Sequence, residues 1–209
     1  MLLKFALLIL TAFNPAPAFF SPQANTSQAI PSVDRLTDSF EQRANEDISP
    51  ALVMDLVGVK PGMVIGEVGA GRGRVTVHLA DRVGEKGKIY ANDIDTSSLE
   101  YLRSRIKRLE LTNVEVVDGL VDDARLPAGA LDMILMVMVY HHLDKPIPML
   151  RNLLPCLKPG GVVAMVEPSP AHTERGMRDL TRQQVAEEAA EAGYKLETVI
   201  EGKFEHENV

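Results

Sequence analysis

Residues 63–74 read MVIGEVGAGRGR, and the fold class turns on this stretch. Residues 63–68 form a short apolar run that ends in glycines, the pattern of a strand buried on both faces of a parallel sheet. Glycines at 69, 71 and 73 let the backbone turn tightly and admit a ligand close to the main chain. Residues 74–83 then read as a helix closed by Gly84. Outward from this unit, strand and helix alternate. Strands are expected at 88–93, 114–117, 131–139 (LDMILMVMV), 162–167 and 195–200. Helices are expected from a capping box at Ser97 and Glu100 to about residue 109, over 148–157, and from a second box at Thr181 and Gln184 to Gly193. Pro159-Gly160-Gly161 reads as a turn. This alternation predicts an α/β fold, a doubly wound and mostly parallel sheet with helices on both faces.

Composition bounds the function. The chain has 209 residues, 45% hydrophobic and 24% charged, which suits one globular domain with a tail. Its net charge of −7 argues against a nucleic-acid partner, because backbone phosphate affinity rests on Lys and Arg. Cys156 is the single cysteine, which excludes an internal disulfide and a multi-cysteine metal site. With 5% aromatics and no Trp, a carbohydrate or base-stacking platform is also disfavoured.

The N-terminus carries a leader pattern. Lys4 precedes the run FALLILTAF at 5–13, and Ala16-Pro17-Ala18 resembles a small-residue cleavage site. Residues 1–18 are therefore expected as a signal peptide, with the mature chain periplasmic or extracellular if the leader works and cytoplasmic otherwise. The run falls short of the roughly 20 residues of a membrane-spanning helix, so no stable membrane span is expected after its removal. Residues 19–48 read as a linker with a short helix around 33–43, and 49–209 as the folded domain, opening at Ser49-Pro50.

Asp93 ends the second strand of the domain, 24 residues after Gly69, where a carboxylate can accept both hydroxyl hydrogens of a ribose. A nucleoside-containing ligand follows. A dinucleotide loop would place Gly or Ala at position 74, but Arg74 stands there and the third glycine is at 73. Glu67, two positions before the first glycine, would repel a pyrophosphate and suits an ammonium or sulfonium ligand. S-adenosylmethionine is favoured over NAD.

With these residues in hand, the chain resembles the class I S-adenosylmethionine-dependent methyltransferases, of the group similar to the ubiquinone/menaquinone C-methyltransferases. The matching blocks are VIGEVGAGRG at 64–73, YANDID at 90–95, residues 132–142, and LKPGG at 157–161 before a strand ending in Glu167. The resemblance implies that Glu67, Gly69, Ala70 and Gly71 hold the methionine part of the cofactor, with Gly73 giving close helix packing. Asp93 would take the ribose and Ile94 would pack on the adenine. Asp122, Asp123 and Ala124 stand where the family contacts the adenine amino group, with Asp123 favoured. Arg72 departs from the small residue common there and would narrow the pocket mouth. The family's sheet closes with an antiparallel seventh strand, of which residues 204–209 offer only a stub; the resulting edge would invite a homodimer.

A sulfonium methyl is already electrophilic, so transfer by in-line displacement needs alignment above all. Tyr140, His141 and His142 follow the fourth strand of the domain and are the candidate bases should a small-molecule acceptor have to lose a proton. The competing expectation for the histidines is that they fix their loop by hydrogen bonding. His141, His142 and Asp144 alone are too few for a metal site, and no metal is expected. Loop 168–180 is expected to help choose the acceptor. Two other functions stay open on sequence: a non-catalytic exported binding protein for S-adenosylmethionine or a nucleoside, and a nicotinamide-dependent oxidoreductase.

Overall fold

A computed structural model describes residues 5–13, 39–168 and 181–202. Among these, seven strands form one sheet: β1 (Phe5–Ala12), β2 (Val64–Val68), β3 (Lys88–Asp93), β4 (Val114–Asp118), β5 (Leu131–Val137), β6 (Leu157–Pro168) and β7 (Tyr194–Gly202). Their order is β4-β3-β2-β5-β6-β1-β7. Pairings β4-β3, β3-β2, β2-β5 and β5-β6 are parallel. Helices α1 (Ser39–Asp47), α2 (Pro50–Leu56), α3 (Thr76–Val83), α4 (Thr96–Arg108), α5 (Pro146–Leu153) and α6 (Arg182–Glu191) accompany it. The doubly wound arrangement read from the sequence is the one observed. Its strand order runs outward in both directions from β2 and β5, and such a reversal leaves a crevice at the carboxyl ends of the strands.

Two apolar cores face the two sides of the sheet. One joins Val53 and Met54 of α2, Leu79 and Val83 of α3, and Leu99 and Leu102 of α4 to Ile65, Ile89 and Leu135. The other joins Met149 and Leu150 of α5 and Val185 and Ala189 of α6 to Ile134, Met136 and Val163. β5 is buried on both faces, which is why its sequence is almost wholly apolar.

β1 lies within the segment read as a leader. Residues 5–12, set aside as leader, lie inside the sheet, antiparallel to β6 from Phe5↔Pro168 to Thr11↔Val162 and to β7 from Phe5↔Gly202 to Ala12↔Tyr194. Leu7 and Ile9 enter one core while Ala6, Leu8 and Leu10 enter the other. An uninterrupted apolar run satisfies a leader's hydrophobic segment and a doubly covered strand equally well, so periodicity cannot separate them. β1 occupies the antiparallel place that the C-terminal stub was expected to leave open, and that edge is paired. The stub at 204–209 and most of loop 168–180 lie outside the described residues.

Smaller differences have local causes. The short helix expected at 33–43 is α1, and residues 14–38 are outside the described set. α2 starts as expected, with Ser49 Oγ accepting from Leu52 N–H at 3.4 Å. α4 is capped by Asp95 rather than by Ser97, because the Asp95 carboxylate takes the amides of both Ser97 and Ser98 at 3.2 and 3.1 Å. The Thr181–Gln184 box is present in both directions. Pro159-Gly160-Gly161 lies within β6, where the register against β5 slips between Leu131↔Leu157 and Met133↔Val162.

Candidate functional site

β2 delivers the glycine loop to the crevice. Gly69, at φ 75°, sits so close to the chain beyond β5 that an added Cβ would lie 2.3 Å from Val139 Cγ2. Gly71 differs. It too is left-handed, at φ 54°, but its face opens on nothing within 4 Å, leaving room for a ligand against bare backbone. Gly73 packs on Leu102 of α4, where a Cβ would meet Cδ1 at 2.4 Å. Ala70 N–H donates to the Asn92 carbonyl at 2.8 Å and ties the loop to β3.

Asp93 is the hinge of the site. Its Oδ2 accepts from Gly71 N–H at 2.7 Å, and its Oδ1 accepts from the amides of Ile94 and Asp95 at 2.7 and 3.0 Å. Glycine loop and β3 end are thereby locked to one carboxylate. Beside it opens a cavity of about 290 Å³ whose walls include Gly69, Asn92, Asp93 and Ile94 on one side and Met138, Val139, His142 and Leu143 on the other. Leu120 and Val121 complete the wall near Ile94. These three residues are 45%, 41% and 60% exposed, and apart from Phe13 they are the large apolar side chains most open to solvent among the described residues. Apolar groups left open around a cavity provide a slot for a flat apolar ligand ring.

Not every expected residue reaches that cavity. Glu67 is buried beneath the loop, where Oε2 accepts from the Thr76 hydroxyl at 2.6 Å. Burial pushes its carboxyl up to about 7, while the Thr76 bond and the Arg74 charge pull the other way. Asp122 is half-buried and paired to Lys145 Nζ at 2.9 Å, which holds its carboxyl below the usual range. Asp123 accepts from Arg125 N–H at 2.7 Å and shapes the turn. Ala124 is buried, its carbonyl accepting from Asn92 Nδ2 at 3.0 Å. It is Leu120 and Val121, not these three residues, that line the cavity. Sequence reasoning missed both, and missed Asn92, which holds the 117–124 segment from beneath; apolar residues in a loop and a polar one inside a strand were the available signals.

Arg72 stacks its guanidinium 3.8 Å from the centroid of the Tyr101 ring and is not part of the cavity wall. Arg74 donates from Nη1 to Asn45 Oδ1 and the Ile48 carbonyl, at 3.0 and 3.1 Å. Arg105 pairs with Glu41 at 2.9 Å, their side chains 0% and 7% exposed, and also reaches the Arg72 carbonyl. Two arginines thus pin α1 onto the glycine loop.

The three candidate bases separate cleanly. Tyr140 is buried and its hydroxyl donates to Glu188 Oε2 at 2.6 Å. His141 is buried, with Nδ1 against Glu167 Oε2. His142 alone of the three lines the cavity. Desolvation, and then the neighbouring His141, hold the His142 imidazole below its usual value. Among the described residues no cluster of three or more His, Cys, Asp or Glu is arranged to hold a metal, and no helix is long and apolar enough to cross a membrane.

Comparison with known proteins agrees with this geometry. Residues 65–161 match the family model of a methyltransferase domain. A crystal structure of a SAM-dependent methyltransferase from Aquifex aeolicus superposes with a TM-score of 0.66 at 28% identity, covering 74% of this chain and 87% of that one. Residues 65–161, a little under half of the chain, are thus similar to the S-adenosylmethionine-dependent methyltransferases. S-adenosyl-L-methionine is the cofactor of this family. Demethylmenaquinone methyltransferase of Bacillus mycoides is 28% identical over 116 residues, 56% of this chain and 49% of that protein. Ubiquinone/menaquinone biosynthesis C-methyltransferase of Salmonella arizonae is 28% identical over 115 residues, 54% of this chain and 46% of that protein. The chain thus matches about half the length of these curated relatives.

Proposed function

We propose that the protein transfers a methyl group from S-adenosylmethionine to a small-molecule acceptor that reaches the cavity beside His142. The observation that carries this is the Asp93 carboxylate, set between the open face of Gly71 and the apolar slot of Ile94, Leu120 and Val121. Asp93 would hold the ribose, the slot the adenine, and the loop at 69–71 the methionine part, with the buried Glu67 carboxylate balancing its positive charge from below. The bound cofactor supplies an electrophilic methyl. Everything else asked of the chain is placement: α1 pinned on the loop and Val139 packed over Gly69. Where the acceptor must lose a proton, His142 takes it, since its neutral form is favoured and it faces the cavity. The pairing of residues 5–12 within the sheet supports a working protein that keeps this segment, and with it the cytoplasmic alternative over the exported one.

The test is calorimetric titration of the full chain with S-adenosylmethionine, S-adenosylhomocysteine and NAD, with Asp93→Ala in parallel. Micromolar binding of the first two, lost in the variant, is expected. Binding of NAD alone, or of none of them, would overturn the reading.

A further inference from the structure

Glu167 lies at the end of β6, is 2% exposed, and does not itself line the cavity. Its contacts all go to one turn. Oε1 accepts from Val139 N–H at 3.1 Å and from Tyr140 N–H at 2.8 Å, and Oε2 meets His141 Nδ1. That turn begins at Met138, which holds φ 60°, a left-handed conformation that a side-chain-bearing residue keeps only when its surroundings impose it. Met138 N–H is itself bonded to the Val166 carbonyl at 2.8 Å. The far side of the same turn is cavity wall, through Met138, Val139 and His142. Strain, a buried clamp and a ligand-facing surface therefore coincide over five residues.

We propose that Glu167 is the positioning residue of the methyl-transfer site: it holds the 138–142 turn by two main-chain amides and fixes which nitrogen of His141 carries the proton. This rests on the reading of the cavity as the methyl-transfer site. The donor pattern decides the second half. Both carboxylate oxygens accept, so His141 must present Nδ1–H to Oε2, while its Nε2 is buried without a hydrogen-bond partner among the described residues. The His141 ring lies against that of His142, centroids 4.0 Å apart and planes tilted by 46°, so its orientation sets where His142 stands at the cavity.

A glutamine at 167 makes the inference sharp. Two amide donors face Oε1, so the glutamine oxygen must take that side and its NH2 must face His141. Nδ1 is then forced to accept, and the proton moves to Nε2. The experiment is long-range 15N–1H NMR of the full chain, with His141→Gln identifying the His141 signals among the five histidines. S-adenosylhomocysteine titration of wild type, Glu167→Gln and Glu167→Ala accompanies it. Expected are Nδ1–H in wild type, Nε2–H in Glu167→Gln with affinity within about threefold, and an affinity at least about tenfold weaker in Glu167→Ala. An unchanged tautomer in Glu167→Gln, or wild-type affinity in Glu167→Ala, overturns the proposal. Should Glu167→Ala not fold, the tautomer comparison decides by itself. Wild type that fails to bind S-adenosylhomocysteine sinks the methyl-transfer reading instead, while the tautomer result still reports on the clamp.

Discussion

Replacing Glu67 by Gln should change how stability depends on pH. The Glu67 carboxyl is raised from 4.5 to about 7, chiefly by burial beneath the glycine loop. Below pH 4.5 it is protonated in both folded and unfolded chains. Between 4.5 and 7 the unfolded chain releases the proton while the folded one keeps it, so stability falls as pH rises, and above 7 the loss is complete. Raising the carboxyl from 4.5 to about 7 corresponds to about 3 kcal/mol, of which roughly three quarters falls between pH 5 and pH 8. Glu67→Gln stays neutral throughout, and its side-chain oxygen still accepts from Thr76, so it lacks this term. Urea unfolding of both proteins at pH 5 and pH 8 isolates the effect, because every other titrating group is shared. Relative to the variant, wild type should lose about 2–3 kcal/mol across that interval. A gap between the two proteins that stays constant from pH 5 to pH 8 would refute the assignment of a neutral, desolvated carboxyl. Bound S-adenosylmethionine should act in the opposite sense: its positive charge favours the carboxylate, so binding should release protons near neutrality in wild type and not in Glu67→Gln.

Two further outcomes follow from packing. Leu10 is fully buried in β1, and Leu10→Ala should lower stability by about 2–5 kcal/mol in urea unfolding; a chain starting at residue 19 should lose cooperative unfolding altogether, and an unchanged midpoint for that shorter chain would contradict β1's place in the sheet. Gly69→Ala should abolish S-adenosylhomocysteine binding by driving Val139 from its place, whereas Gly71→Ala, with open space above it, should keep the fold at about 1 kcal/mol of backbone strain and weaken binding only by crowding the ligand. Equal affinities for the two variants would count against the contact between Gly69 and Val139.

Much of this molecule is local, and what is local was legible in its sequence. The apolar run of β5, the glycine loop after β2 and the acid ending β3 are set by short-range demands. A strand covered on both faces must be apolar, a left-handed turn excludes side chains, and Asp93 lies one strand length beyond the helix that follows the loop. These features carried the fold class, the resemblance to methyltransferases and the placing of Asp93 at the cavity without any knowledge of contacts. Tertiary structure decided the rest, because it depends on which distant groups come to share space. FALLILTA reads equally as a leader or a strand, and only the antiparallel slot between β6 and β7 makes it β1. Tyr140, His141 and His142 are adjacent in sequence, yet Glu188 and Glu167, 48 and 26 residues away, take the first two and leave the third to the cavity. Leu120 and Val121 rather than Asp122 and Asp123 line the cavity, while Lys145 and the Arg125 amide hold the two acids. Burial and hydrogen-bond competition are properties of assembled neighbours, and no spacing along the chain encodes them.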